Sequence, residues 1–314
     1  SAPRHGARAL ATACTALLIG ASAHAQSLEV TTSFSILGDL VSQVGGERVK
    51  VRTLVGPDED AHAFQPRPSD ARNVGGAALV VVNGLGFDDW MVRLARSGGY
   101  KGEVVVASAG IDTLAMTTDE HDHDHGHGPE DDKTDAKAVD PHAWQDVGNV
   151  RRYVANIADA LTKADPEGAS AYRANAERYD GELKALDAEI RAAFAALPAA
   201  RRKVMSSHDA FGYFGRAYGI RFLSPVGVSN NAEPTAQGVA RLIRQLKAEK
   251  VPAVFIENVA DPRLIERIRS ESGAQIGGTL YSDALSKADG PAPSYVRMMR
   301  ANLDALRQAM SGAN

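Results

Sequence analysis

From Tyr172 to Leu197 apolar side chains return every three or four residues, at Tyr172, Ala176, Tyr179, Leu183, Leu186, Ile190, Phe194 and Leu197. That is the helical period, and it gathers all eight on one buried face. A helix from Glu167 to Leu197 spans roughly 45 Å at 1.5 Å per residue, and Pro198 ends it. Helical patterning starts already at Asp146, so the block lies across the middle of the chain and divides it into halves. A rod of this length either joins two bodies or lies in a helical bundle. The pattern favours the first, because no second stripe of similar length stands out.

Both halves carry short apolar runs alternating with helical patterns. In the first, strands are predicted at Leu28–Thr32, Val49–Val55, Leu79–Asn83 and Val104–Ser108, with helices at Ile36–Val44, Ser69–Ala77 and Phe87–Arg96. In the second, strands are predicted at Lys203–Ser206, Arg221–Val226, Val251–Glu257 and Gln275–Leu280. Helices are predicted there at Ala210–Tyr218, Pro234–Glu249, Pro262–Ser272 and Ser294–Met310. Strands that alternate with helices build a mostly parallel sheet covered on both faces. The expectation is two α/β lobes, residues 26–148 and 199–314, joined by a helical linker over 149–198.

The first 25 residues read differently. Arg4 and Arg8 precede an apolar stretch from Ala9 to Ala21, and Ala23-His24-Ala25 has the small-x-small form of a processing site. Together they predict an export signal cleaved near Ala25. The apolar run is too short for a membrane anchor, which takes roughly 20 residues. Cys14, the one cysteine, falls inside this segment, and Ala11 stands where a lipoprotein signal would carry an aliphatic residue. The rest of the chain has no thiol, so any metal site there uses nitrogen and oxygen. A formal net charge of −4, without a basic stripe, excludes nucleic acid as a partner.

Residues 117–138 have almost no apolar content and carry His121, His123, His125 and His127 interleaved with acidic residues. Such a segment buries too little surface to offset its ordering entropy, and reads as a loop within the first lobe. Four imidazoles within seven residues make it an auxiliary metal-capture loop rather than only a solubilising one.

Outside the signal and this loop the only histidines are His62, His142 and His208. His62 follows the strand ending at Val55, His208 follows the strand ending at Ser206, and His142 lies in the turn before the helical block. Asp283 follows the strand ending at Leu280. Open α/β sheets bind ligands at the carboxyl ends of their strands, and three of these four residues stand there. A single histidine at a strand end is usually a surface or hydrogen-bonding residue, and aspartate is common in turns. A chain that confines its structured histidines to such places points further, to a metal. Three neutral imidazoles and one carboxylate complete a tetrahedral zinc shell, whereas a catalytic zinc keeps a position open. A closed shell favours carrying the ion over using it. The rival reading, a zinc-dependent hydrolase, requires a general base beside the metal; Glu233 and Glu257 are the candidates, and no H-E-x-x-H signature is present.

The stretches Thr32–Asp39, Gly56–Pro66, Asp140–Trp144, Ser206–Phe211, Ala232–Pro234 and Tyr281–Ser286 resemble the zinc-binding solute-binding proteins of bacterial ABC transporters, of the ZnuA and AztC type (metal-binding cluster A-I). The resemblance implies a periplasmic carrier and no enzyme, with Zn2+ in the cleft between lobes and two ligands from each. The implied partners are an ABC permease in the inner membrane and a periplasmic zinc chaperone, with the carrier itself a monomer. Relatives that handle manganese or iron typically place a glutamate where His208 stands, and a manganese or iron carrier is the alternative within the family.

Overall fold

The computed structural model describes residues 27–116, 138–228 and 233–312. The predicted export signal, residues 1–25, and His121, His123, His125 and His127 lie outside them. In the first half the order is β1 (Leu28–Phe34), α1 (Ser35–Gly45), β2 (Val49–Val55), α2 (Pro68–Gly75), β3 (Leu79–Val82), α3 (Asp89–Ser97) and β4 (Val104–Val106). Two helices follow, α4 (Val147–Ala164) and α5 (Ala169–Ala195). The second half contains β5 (Lys203–Met205), α6 (Gly212–Tyr218), β6 (Arg221–Leu223), α7 (Ala236–Ala248) and β7 (Ala253–Glu257). It closes with α8 (Pro262–Ser272), β8 (Gln275–Leu280) and α9 (Tyr295–Ser311).

Each half builds a four-stranded parallel sheet, ordered β2-β1-β3-β4 and β6-β5-β7-β8. The same crossover pattern therefore occurs twice, and both sheets turn the carboxyl ends of their strands toward the space between the lobes. The run Leu79-Val80-Val81-Val82 is buried throughout, as expected of an inner strand covered on both faces. Alternation is clearer in β2, an edge strand that exposes Lys50 and Arg52.

The helical block contains two helices, and the longer one is the predicted Glu167–Leu197 helix, slightly shorter at each end. Asp165 leaves the helical region (φ −136°, ψ 82°) because the residue before a proline, here Pro166, is disfavoured there. Arg48 holds this corner, its guanidinium 2.8–3.1 Å from both Asp165 carboxylate oxygens. The shorter helix has a stripe of its own, Val147, Val150, Val154, Ile157 and Leu161. Asn156 on it donates to the carbonyls of Ala107 and Ala109 beyond β4 (2.8 and 2.9 Å), fastening α4 to the first lobe. The longer helix α5, about 40 Å by its rise per residue, buries the predicted stripe from Tyr172 to Phe194. It packs on α1 and α4 of the first half and on α6 and α9 of the second.

One hydrophobic core runs without a break from Phe34, Phe87 and Trp144 to Phe194, Phe214 and Tyr295. Two smaller cores lie under the outer helices, around Val80 and Met91 in one lobe and Val254 and Ile268 in the other. Each fully buried Leu, Ile or Phe contributes roughly 1.5–3 kcal/mol, so the continuous core ties both sheets to the same helices.

Candidate metal centre

The loop after β2 is shaped by its own acidic residues. Glu59 accepts the Gly56 N–H (2.7 Å) and Asp60 accepts the His62 N–H (2.8 Å). Asp58 donates its N–H to the Leu285 carbonyl of the other lobe (2.9 Å). The loop thus leans across the cleft, and the His62 ring sits edge-on to Phe87, 4.8 Å between centroids.

Asp140 and Asn83 place the second histidine. The Asp140 Oδ1 accepts both the backbone N–H (3.0 Å) and Nδ1–H (2.8 Å) of His142. Asn83 donates its side-chain amide to the Pro141 carbonyl (3.0 Å) and accepts the Tyr153 hydroxyl (2.5 Å). The end of β3 is steadied in turn by Asp88, which accepts from the Ser33 hydroxyl and from the Asn83 and Gly84 N–H groups. Gly84, Leu85 and Gly86 all have positive φ, and this tight turn delivers Phe87 to the site.

His208 stands three residues past β5. Oε1 of Glu257, from the end of the adjacent β7, accepts the N–H groups of Ser207 and His208 (2.8 and 3.0 Å). Its other oxygen lies 2.5 Å from His208 Nδ1, a close ionic contact rather than an aligned hydrogen bond. Asp283 stands three residues past β8. The Ser282 carbonyl before it accepts from Trp144 Nε1 and Gln145 Nε2 (2.8 Å each), while Asn302 pairs with both backbone groups of Tyr281.

Both carboxylates face Nδ1 atoms, which turns Nε2 of His142 and of His208 inward toward Asp283. The Nε2 atoms of His62 and His142 lie 3.4 Å apart. Asp283 brings its oxygens to 3.3, 3.5 and 3.1 Å from Nε2 of His62, His142 and His208. All four donor atoms fall within 4.8 Å of one another. A tetrahedral ion with ligands at 2.0–2.1 Å has ligand–ligand edges of about 3.3–3.4 Å, and the separations of His62 from His142 and of Asp283 from the three imidazoles lie close to that.

His142, His208 and Asp283 are fully buried, and the His62 side chain is 9% exposed, which puts the way in on its side. Both Asp283 oxygens and both His208 ring nitrogens lack an aligned hydrogen bond among the described residues, an arrangement that is costly without a cation. Burial pulls the His208 imidazole down, but the carboxylates of Glu257 and Asp283 outweigh it and hold the ring well above its ordinary range. Burial likewise pushes the Asp283 carboxyl up, yet His208 and His142 hold it well below the usual carboxylate range.

All four residues predicted from strand ends and histidine scarcity therefore converge. The general-base candidates do not serve a hydrolase: Glu257 stands behind His208, on the side away from the cage, and Glu233 is exposed. The sequence reading missed the roles of Asp140, Glu257, Asn83, Trp144 and Gln145. Only Asp140, two places before His142, had a signal in local spacing.

Comparison with known proteins follows the same line. The family model described as ZnuA, zinc-uptake complex component A periplasmic, matches residues 30–309. The manganese-binding lipoprotein MntA of Halalkalibacterium halodurans is 34% identical over 302 residues, which cover 96% of this chain and 95% of that protein. The iron-binding protein YfeA of Yersinia pestis is 31% identical over 284 residues, 90% of this chain and 86% of its own length. Among solved structures, the periplasmic zinc binding protein TroA from Treponema pallidum matches with a TM-score of 0.81 and 29% identity, covering 90% of this chain and 99% of that one.

Proposed function

Because the chain belongs to the ZnuA family of periplasmic metal-binding components of ABC transporters, we propose that it captures Zn2+ with His62, His142, His208 and Asp283 and passes it to a membrane permease. The family is one of substrate-binding proteins and not of enzymes. The observation that carries the zinc reading is the donor set: three imidazole nitrogens and one carboxylate gathered within 4.8 Å of one another. Zinc takes such a shell readily, while manganese prefers more oxygen ligands and an octahedral arrangement.

A manganese or iron cargo is the second reading, and it is supported by what MntA and YfeA are named for. Zinc outranks manganese at almost any nitrogen and oxygen site, so an affinity ratio alone does not separate the two readings. Metal content of the protein isolated from its own periplasm, together with growth of a deletion strain in zinc-poor and manganese-poor media, does. Zinc in the isolated protein and a defect confined to zinc-poor medium are expected; manganese or iron in the protein, with the matching defect, overturns the zinc reading.

The proposal extends to the residues before and beside the site. Residues 1–25 direct export and are removed near Ala25, residues 26–148 and 199–314 form the lobes, and residues 149–198 link them. His121, His123, His125 and His127 collect zinc weakly and pass it inward, and a periplasmic zinc chaperone is a fitting donor to the same monomeric carrier. Among the described residues no helix is long and apolar enough to cross a membrane. Unchanged capture rates at limiting zinc after deletion of residues 118–136 would remove the role given to the histidine loop.

A further inference from the structure

Residues 114–116 and 138–140 run antiparallel as a short ribbon, with Ala115 opposite Val139. The Met116 N–H donates to the Ala138 carbonyl (2.7 Å) and the Asp140 N–H to the Leu114 carbonyl (2.9 Å). Leu114 and Asp140 are then a pair that ordinarily exchanges two backbone bonds, and here the second is replaced. The Leu114 N–H donates to the hydroxyl of Tyr213 (3.1 Å), and that hydroxyl donates to the Asp140 carbonyl (2.8 Å). A fully buried side chain of the second lobe is thus spliced into the last rung of a first-lobe ribbon. Arg216 holds the ring in place, its guanidinium carbon 5.2 Å from the ring centroid while Nη2 donates to the Asp112 carbonyl (2.9 Å). Gly212 meets the same aspartate. A Cβ at that position would stand 2.7 Å from Asp140 Oδ2, so glycine is what leaves room for the carboxylate.

We propose that the first turn of α6, through Gly212 and Tyr213, is a positioning element for the metal cage: it fixes Asp140 and, through Asp140, the His142 ring. This rests on the reading of His142 as a zinc ligand. Asp140 Oδ1 meets both the backbone nitrogen and Nδ1 of His142 (3.0 and 2.8 Å), so a shift of Asp140 tilts the imidazole. Partners of this kind orient ligating histidines, and losing one typically costs about 10–100-fold in metal affinity. Tyr213 stands one step further out and acts on the metal only through that aspartate. Gly212 lies four residues after His208, so the segment that carries a ligand of the second lobe also sets the angle of a ligand of the first. Two histidines on opposite sides of the cleft are joined by protein as well as by the ion they share.

The test is a double-substitution cycle on the full chain: wild type, Tyr213→Phe, Asp140→Ala, and both together. Zinc affinity is measured by chelator competition and ligand geometry by the visible absorption of the Co2+-loaded proteins. Phenylalanine keeps the ring and its packing but withdraws the hydroxyl from Leu114 and Asp140. Zinc affinity is expected to fall on the order of tenfold, the lower end of the range for such partners, with a shifted Co2+ band. Asp140→Ala is expected to lose more. Adding Tyr213→Phe to it should then change neither affinity nor band, because the route to His142 is already cut. A hydroxyl with a merely structural role would lower affinity by the same factor in both backgrounds. Zinc affinity and Co2+ spectrum unchanged in Tyr213→Phe, or an equal loss in both backgrounds, overturns the proposal. If Tyr213→Phe does not fold, Gly212→Ala keeps the hydroxyl, crowds Asp140 Oδ2 and is judged by the same comparison with and without Asp140→Ala. Wild-type protein that fails to bind zinc would instead overturn the assignment of the cage itself.

Discussion

The indole N–H of Trp144 donates to the carbonyl of Ser282 across 2.8 Å, joining the residue two places after His142 to the residue immediately before Asp283. Gln145 donates to the same carbonyl at 2.8 Å, and the Tyr295 hydroxyl donates to the Trp144 carbonyl at 2.7 Å. One histidine of the first lobe and the aspartate of the second are thus positioned against each other by protein contacts. Each such bond contributes a net 0.5–1.5 kcal/mol, roughly, and the cluster lies in the continuous core, where side chains have little freedom.

Trp144→Phe removes the indole donor and leaves a smaller ring in a closed space. A loss of about 1–3 kcal/mol in stability is expected, along with zinc release several-fold faster than wild type in a chelator chase. Wild-type release kinetics would show that this link does not hold the cage.

The electrostatics of His208 and Asp283 give a pH dependence of definite sign. His208 titrates well above its ordinary value, so the metal-free protein carries a proton there at neutral pH. Zinc must displace that proton, and affinity should fall as pH falls. Calorimetry in buffers of different ionisation enthalpy should find about one proton released from this ring per zinc bound near pH 7. For folding, a raised histidine stabilises fully below its unfolded value of about 6.5, and that stabilisation is lost as pH rises through the folded value. The lowered Asp283 carboxyl stabilises above about 3.9, and its contribution is lost as pH falls through its folded value. The Tm of the metal-free protein should therefore decline on the alkaline side, and that of the zinc-loaded protein should not.

Asp88 behaves in the opposite sense to a salt-bridged carboxylate. Burial pushes it up to about 6, against the Ser33 hydroxyl and the Asn83 and Gly84 N–H groups that favour its charged form. The folded protein then holds this proton more tightly than the unfolded chain does. Acidifying from pH 7 toward 5 should stabilise the molecule at this residue by on the order of 1 kcal/mol. In Asp88→Asn that component should vanish, which urea titrations at the two pH values would detect.

Metal removal gives the most direct check on the cage. At zinc concentrations about a thousandfold above Kd, binding adds roughly 4 kcal/mol, or on the order of 10 °C in Tm for a chain of this size. EDTA should abolish that increment. His142→Ala and Asp283→Ala should each lose most of it while retaining a cooperative metal-free transition. An undiminished zinc-induced shift in either variant would remove that residue from the ligand set.

The fold was legible because its signals are local. The period of three and four at Tyr172–Phe194 and the apolar run at Leu79–Val82 declare their elements without help from the rest of the chain. The break at Asp165-Pro166 was equally local, and the predicted long helix begins just past it, at Glu167. The histidines were legible by scarcity, a property of the whole sequence. What surrounds them was not: Glu257 meets His208 only because β5 and β7 lie side by side, and Trp144 meets Ser282 only after the chain has crossed between sheets. Contacts made by topology leave no spacing to read. Asp283 stands between these cases, an ordinary turn aspartate in sequence that the end of β8 carries to within 3.5 Å of three imidazoles.

The equal division of the cage has a consequence for how the molecule behaves as a device. His62 and His142 come from one sheet's end of the cleft, His208 and Asp283 from the other's. Either pair alone is a two-donor site of the kind that any surface with a histidine can offer. Together they make a shell whose tolerance is a few tenths of an ångström, roughly. On the proposed function, retention requires both halves in register at once, and a slip between them would leave the ion with the two donors of either half. A small relative displacement is thus enough to switch between keeping and giving, with no need to unfold any element that carries a ligand.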